Sequence, residues 1–198
     1  MCEHWAAEAF RVYQPRTYFN NTDNQALGWS IPAAIGACYA GCEGSETQGT
    51  RQIMTLTGDG AMLLSGLEMT TAVRDGLPVK FFILDNQSYA YMEKLQQQAY
   101  RRTTATRLAR IDYPAFAKGL GLAYAEILST DCAEPVLRSV LETPGPVMVR
   151  VVTDYGERPI RWIEAAKKQF ENGLTTEQKV RFAARLGVRS LKLRKEND

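Results

Sequence analysis

Two hydrophobic periods alternate along residues 1–156. Short runs rich in β-branched and aromatic residues predict strands, and apolar residues spaced three or four apart between them predict helices. The predicted strands are residues 16–19, 52–57, 79–84, 123–127 and 147–152, and the predicted helices are residues 32–42, 65–74, 89–100, 113–120 and 132–142. This alternation is typical of a mostly parallel sheet with crossover helices on both faces, so the predicted fold class is three-layer α/β.

The charge balance changes near Gly156. Residues 1–156 contain 13 basic and 16 acidic side chains, whereas residues 157–198 contain 11 and 6. The later segment predicts two amphipathic helices, 159–171 and 176–186, followed by a charged tail. We therefore predict two parts, an α/β domain at 1–156 and a basic helical C-terminal extension at 157–198. The extension has no interleaved aromatic residues apart from Trp162, Phe170 and Phe182, whose spacing is typical of a core, and this favours subunit packing over nucleic-acid binding.

The composition and length argue against several classes of protein. A length of 198 residues with 45% apolar residues supports one folded domain with a core and excludes a disordered chain. No apolar run approaches the roughly 18 residues of a membrane span, and the first residues do not resemble a signal peptide. The four cysteines lack metal-ligand spacing, and His4, the single histidine, is expected to be a solvated terminal residue. We expect a cytoplasmic protein with reduced thiols and no membrane partner.

The first candidate for chemistry is Gly58-Asp59-Gly60-Ala61, between a predicted strand and a predicted helix. Two glycines around a carboxylate allow a sharp turn, bring backbone amides close to an anion and leave the carboxylate able to hold a hard cation. Such turns are common, so this segment alone is weak evidence for a site.

A second polar pair, Asp85-Asn86, ends the next predicted strand. One crossover unit separates it from Asp59, and a right-handed crossover returns the chain to the same edge of a parallel sheet. We therefore expect Asp59 and Asn86 to meet outside the carboxyl ends of the strands, where open α/β sheets bind ligands. Their oxygen atoms, together with a backbone carbonyl, phosphate oxygens and water, suit Mg²⁺.

These residues resemble a known family. Gly58-Asp59-Gly60, then 25 residues, then Asn86 is similar to the metal and diphosphate motif of thiamine diphosphate enzymes, and residues 27–37 (LGWSIPAAIGA) resemble a second segment of that family. The likeness covers roughly residues 15–153. It points to the carboxyl-terminal, cofactor-binding domain of the acetolactate synthase, pyruvate oxidase and benzoylformate decarboxylase group.

The resemblance implies a set of site residues. Asp59, the side chain of Asn86 and the backbone carbonyl of Ser88 correspond to ligands of the metal. The diphosphate motif corresponds to Gly58, Gly60, Ala61, Tyr89 and Ala90, with backbone amides of the last four approaching the phosphates. Leu27 matches the apolar residue that holds thiamine diphosphate bent.

Two departures from the family accompany that set. Gln25 stands where the family commonly has a glycine whose backbone carbonyl contacts the cofactor. Asp85-Asn86 replaces the usual pair of asparagines, but the ligand is the second of the pair. The implied cofactors remain thiamine diphosphate and Mg²⁺.

The resemblance also implies what this chain lacks. In the family, the catalytic glutamate lies on a pyrimidine-binding domain, usually of a neighbouring protomer, and nothing in this chain corresponds to it. We therefore assign no catalytic residue here, and we expect part of a homo-oligomeric lyase or transferase, inactive alone, that decarboxylates or joins small 2-oxo acids. It is then a fragment of a longer enzyme or the separate beta-type subunit of a two-chain decarboxylase. A non-catalytic module that binds another phosphate ligand, and a paralogue lacking the glutamate, remain alternatives.

Overall fold

The computed structural model describes residues 1–21, 25–42, 52–156, 175–178 and 180. The chain divides into two units, Met1–Gly156 and Glu157–Asp198. The predicted helices and tail of the second unit lie outside the described residues apart from 176–178, which are helical, and 180. The basic extension therefore stays a prediction, and the described fold is that of the first unit.

The first unit contains a four-stranded parallel sheet. Its strands are β1 (Ile53–Gly58), β2 (Val79–Asp85), β3 (Ala123–Ile127) and β4 (Val147–Val152), in the spatial order β1-β2-β4-β3. The register aligns Gly58 with Leu84, so β1 and β2 end at the same edge. Four of the five predicted strands are confirmed.

The strand predicted at 16–19 is wrong. Residues 15 and 16 form a turn, with Arg16 in the left-handed region at φ 60° and the Thr17 hydroxyl donating to the Gln14 carbonyl at 2.7 Å. A left-handed residue reverses the chain, so an extended strand cannot pass through it.

Seven α-helices accompany the sheet in the described part of the chain. They are α1 (Cys2–Ala9), α2 (Ser30–Cys42), α3 (Asp59–Ser65), α4 (Met69–Arg74), α5 (Ala90–Tyr100), α6 (Tyr113–Leu120) and α7 (Ala133–Glu142). The helix predicted from residue 65 begins earlier, at Asp59, and is divided into α3 and α4 by the 3₁₀ turn Gly66–Glu68. Gly58-Asp59-Gly60-Ala61 is therefore the end of a strand and the first helical turn, with no loop between them.

Helices cover both faces of the sheet. One cluster of buried side chains joins Phe81 and Ile83 of β2 to α2, α3, α4 and α6. A second cluster joins Phe82 of β2 and Val149 of β4 to α7. Successive β2 residues thus pack on opposite faces, which explains why this strand is apolar throughout. The predicted three-layer α/β fold is confirmed.

Candidate functional site

Asp59 and Asn86 meet at the carboxyl edge of the sheet, as the crossover topology predicts. Asp59 is the first residue of α3, and Asn86 directly follows β2. The Asn86 backbone N–H donates to Asp59 Oδ2 at 3.2 Å, and the Gly60 N–H donates to Asp59 Oδ1 at 2.8 Å. Both carboxylate oxygens are therefore held in place by backbone groups on neighbouring elements.

The Asp59 carboxylate is buried and belongs to no ion pair in the described part of the chain, although the partly buried amino group of Met1 is near enough to interact with it electrostatically. Asp59 is 3% exposed, and it forms no ion pair within the described residues. Burial raises its pKa above the ordinary range, while hydrogen bonds from backbone N–H groups partly oppose that rise. A buried carboxylate that no ion pair occupies fits Mg²⁺, which prefers oxygen ligands and binds through few carboxylates plus phosphates and water. The donor set here therefore fits the metal.

Backbone hydrogen bonds to residues 106–108 fix the conformation of the loop after β2. Gln87 is left-handed at φ 55°, and Ser88 is buried. The Gln87 carbonyl accepts from the Leu108 N–H at 3.0 Å, and the Tyr89 N–H donates to the Thr106 carbonyl at 2.8 Å. We call residues 106–108 the strap, because this short antiparallel pairing holds the loop from outside.

Gly60 leaves room for the ring of Tyr89. A Cβ at Gly60 would lie 2.3 Å from Tyr89 Cε1, so any side chain there displaces the ring. Tyr89 precedes α5, whose first residue is Ala90, and a helix of this length presents backbone N–H groups and a positive dipole end at its start. Gly58, Gly60, Ala61, Tyr89 and Ala90 are therefore all placed at the ends of β1 and β2, around Asp59.

The loop before α2 lies beside α3. A Cβ at Gly28 would be 3.2 Å from Leu64 Cβ, and Gly28 is left-handed at φ 89°. Leu27 is 47% exposed, so its side chain is available to a bound molecule. Gln25 is left-handed at φ 48°, a conformation that glycine adopts readily. The departure from glycine at position 25 therefore keeps a glycine-like backbone.

Asp85 forms an ion pair instead of serving as a metal ligand. Arg150 of β4 donates to Asp85 Oδ2 through Nε and Nη2, each at 2.8 Å, and lies 3.7 Å from Glu126 of β3. The Asp85 side chain is 3% exposed. The acidic residue that replaces an asparagine is thus neutralised by a residue of the adjoining strand.

Helix α1 is the part of the site that sequence reasoning missed. It packs against β1, and a Cβ at Gly58 would lie 4.0 Å from Cys2 Cβ. His4, expected to be solvated, is half-buried and packs edge-on against Tyr91 with ring centroids 5.0 Å apart. Burial raises the pKa of the Cys2 thiol to about 11. The available signal was the alanine content of α1, which favours a helix.

Two absences within the described residues bear on ligand classes. No group of three or more His, Cys, Asp or Glu side chains is positioned there to hold a metal. The site around Asp59 therefore requires amide, carbonyl or phosphate oxygens to complete a shell. In the same residues, no helix is long and apolar enough to cross a membrane.

Comparison with known proteins identifies the family. The profile described as "Thiamine pyrophosphate enzyme, C-terminal TPP binding domain" matches residues 1–151. The chain belongs to this family, whose cofactor is thiamine diphosphate (thiamine pyrophosphate) with Mg²⁺ as the usual partner metal. The match begins at residue 1 and so includes α1.

Individual relatives are similar over the same part of the chain. Acetolactate synthase of Bacillus subtilis (strain 168) is 31% identical over 153 residues, which are 77% of this chain and 26% of that protein. Acetolactate synthase isozyme 1 large subunit of Escherichia coli (strain K12) is 26% identical over 156 residues, 78% and 26% of the two chains. The chain thus spans about a quarter of the length of these curated relatives.

A solved structure supports the same relationship. The thiamine diphosphate-dependent 4-hydroxybenzoylformate decarboxylase of Rhodococcus jostii RHA1 superposes with a TM-score of 0.59 at 25% identity. The superposition covers 67% of this chain and 24% of that one.

Proposed function

We propose that this chain is the cofactor-binding part of an acetolactate synthase-like enzyme that decarboxylates or joins 2-oxo acids. The observation that supports this most is Asp59, a buried carboxylate that forms no ion pair within the described residues, fixed against Asn86 at the edge where β1 and β2 end. Its relatives include an acetolactate synthase and a 4-hydroxybenzoylformate decarboxylase, which supports both carbon–carbon bond formation and decarboxylation. We place the enzyme in the cytoplasm.

The residues are proposed to divide between metal and cofactor. Asp59, the Asn86 side chain and the Ser88 carbonyl hold Mg²⁺, and the backbone amides of Ala61 and Ala90 bind the diphosphate. The other two amides that the resemblance implies already have acceptors, since the Gly60 N–H donates to Asp59 Oδ1 and the Tyr89 N–H donates to the Thr106 carbonyl. Gly58 allows the diphosphate to approach the backbone closely, and Gln25 offers its backbone carbonyl to the cofactor. Leu27 supports the cofactor in its bent shape. Thiamine diphosphate, when bound, serves as an electron sink for carbon–carbon cleavage. This chain orients it and excludes water on one side.

A pyrimidine-binding domain or chain is the proposed partner, and it supplies the catalytic glutamate. Support comes from apolar side chains left uncovered beside the site: Leu63 and Leu64 of α3 and Leu67 of the 3₁₀ turn are at least half exposed. Leu64 also adjoins the loop of the exposed Leu27, as the close approach at Gly28 shows. An apolar surface of this kind is typical of a protein interface. The chain alone is therefore proposed to be inactive, within a homo-oligomeric assembly.

The test is an assay of the chain alone and of the assembly purified through a tag on it from its native cells. Both receive thiamine diphosphate, Mg²⁺ and a panel of 2-oxo acids, and both CO₂ release and carbon–carbon bond formation are recorded. We expect turnover by the assembly and none by the chain alone. An assembly that retains FMN or a nucleotide by mass spectrometry, or turns over no 2-oxo acid while holding thiamine diphosphate, contradicts the proposal.

A further inference from the structure

The pairing of the strap with the loop after β2 determines the direction of the Ser88 backbone carbonyl. Ser88 lies opposite Arg107 in an antiparallel bridge. The two hydrogen bonds flanking this pair run from Leu108 N–H to the Gln87 carbonyl and from Tyr89 N–H to the Thr106 carbonyl. Ser88 and Arg107 are thus a pair that exchanges no hydrogen bonds of its own.

In such a pair, the N–H and carbonyl of each central residue point away from the opposite segment. The peptide group between Ser88 and Tyr89 is trans, since the described chain contains no cis peptide, so its carbonyl points opposite to the Tyr89 N–H. That N–H is directed at Thr106. The Ser88 carbonyl is therefore directed away from the strap and left available for a ligand.

Glu93 contacts the side chains of both residues of this pair. The Ser88 hydroxyl donates to Glu93 Oε2 at 2.6 Å, and Arg107 Nη2 lies 3.7 Å from Glu93 Oε1. Side chains of directly opposite residues share one face, so a single carboxylate from α5 reaches both.

The two contacts of Glu93 differ in strength. Ser88 is 5% exposed, and its short bond to a carboxylate is of the charge-assisted kind. The Arg107 side chain is 78% exposed, and exposed ion pairs contribute little. The bond from Ser88 to Glu93 therefore dominates.

We propose that Glu93, through the Ser88 hydroxyl, is a positioning residue that fixes the Ser88 carbonyl as a metal ligand. The left-handed Gln87 gives the loop a conformation that non-glycine residues adopt at a cost, so the loop needs support from outside. The strap supplies backbone support, and Glu93 supplies the side-chain support. This role rests on the proposed function, since it assumes that the Ser88 carbonyl binds the metal.

The test is titration of the full chain with Mn²⁺ in the presence of thiamine diphosphate, followed by electron paramagnetic resonance at a temperature where each variant is folded. Glu93→Ala and Ser88→Ala are each expected to weaken Mn²⁺ binding about ten-fold, the size of one hydrogen bond to a charged group. The double variant should bind no more weakly than either single one. Glu93→Gln keeps an acceptor and should stay within about three-fold of wild type.

Glu134→Ala is the matched control, because it removes an exposed glutamate of another helix, α7, that pairs with Arg138 at 2.7 Å. A merely structural Glu93 would lower the melting temperature of its variants and leave Mn²⁺ affinity equal to that of the control. That result overturns the inference and leaves the proposed function standing. If Glu93→Ala fails to fold, the smaller change Ser88→Ala decides. Wild type that binds no Mn²⁺ with thiamine diphosphate overturns the proposed function and this inference together.

Discussion

The Asn86 backbone N–H donates to the Asp59 carboxylate at 3.2 Å, although 27 residues separate them in sequence. One crossover unit, α3 to α4 and then β2, lies between them and returns the chain to the edge where β1 ended. A short polar segment at the end of each strand therefore becomes one site.

Replacing Asp59 by asparagine should remove a pH-dependent loss of stability in the absence of metal. Burial raises the pKa of Asp59 in the folded state, so the native chain holds its proton to higher pH than the unfolded chain does. The free energy of unfolding then falls as pH rises from the ordinary carboxyl range through the raised pKa. The full destabilisation by the ionised, buried Asp59 is therefore present at neutral pH. We expect the free energy of unfolding of Asp59→Asn, measured by urea denaturation, to lack this fall. The amide Nδ2 cannot accept the N–H bond that a carboxylate oxygen accepts, so the variant also loses about 1–3 kcal/mol at every pH.

Relative to wild type, the variant should be least stable below the ordinary carboxyl range, where Asp59 is protonated in both states, and should gain as the pH rises towards neutral. Asp112→Asn is the control. Asp112 caps α6 by accepting from the Ala115 N–H at 3.0 Å, and asparagine caps as well as aspartate. Free energies of unfolding of wild type and Asp59→Asn that change in parallel between acid and neutral pH would contradict the interpretation of Asp59 as a buried charge with a raised pKa.

Gly60→Ala should disturb the site through Tyr89. The new Cβ meets the Tyr89 ring at 2.3 Å, so the ring at the start of α5 must move. We expect a loss of about 1–3 kcal/mol of stability, the usual cost of overpacking. Gly36→Ala, within α2 where a Cβ meets nothing within 4 Å, should be neutral or stabilising. Thermal unfolding of both variants checks this, and equal midpoints would show that Gly60 is not constrained by Tyr89.

Arg150→Met should destabilise the sheet strongly, because it leaves the buried Asp85 without its cation. Removing one partner of a buried ion pair costs about 3–5 kcal/mol. Adding Asp85→Asn to this variant removes the uncompensated charge and should recover about half of the loss or more. Denaturant unfolding of the single and double variants measures this coupling.

The comparison for this pair is Arg138→Met, which breaks the exposed pair with Glu134. That variant should lose less than about 1 kcal/mol. If Arg150→Met and Arg138→Met were equally mild, the Asp85–Arg150 pair would contribute nothing to the sheet.

Sequence reasoning succeeded where burial alone decides structure. The runs that became β2 and β4 are apolar because both faces of the sheet are covered, and the crossover rule was enough to bring Asp59 to Asn86. The resemblance to the family rested on short motifs and is confirmed by the profile match. The roles of the individual site residues stay predictions.

Two of the failures have a tertiary cause, and the third has a local one. Helix α1 shows little apolar periodicity, and its docking on β1 beside Asp59 depends on a surface formed by distant residues. The strap pairs through backbone groups, which nearly all residue types carry, so the sequence does not indicate this pairing. The strand predicted at residues 16–19 ignored Arg16, whose left-handed backbone arises from local turn geometry that its side chain does not signal.

The most direct test of the central claim is calorimetric titration of the 198-residue chain with thiamine diphosphate in the presence of Mg²⁺, comparing wild type with Asp59→Ala. Asp59 supplies the only carboxylate we assign to the metal, so its removal should abolish measurable binding, while Asp112→Asn should bind as wild type does. Equal affinity of wild type and Asp59→Ala would contradict the metal site and, with it, the account of how this domain holds its cofactor.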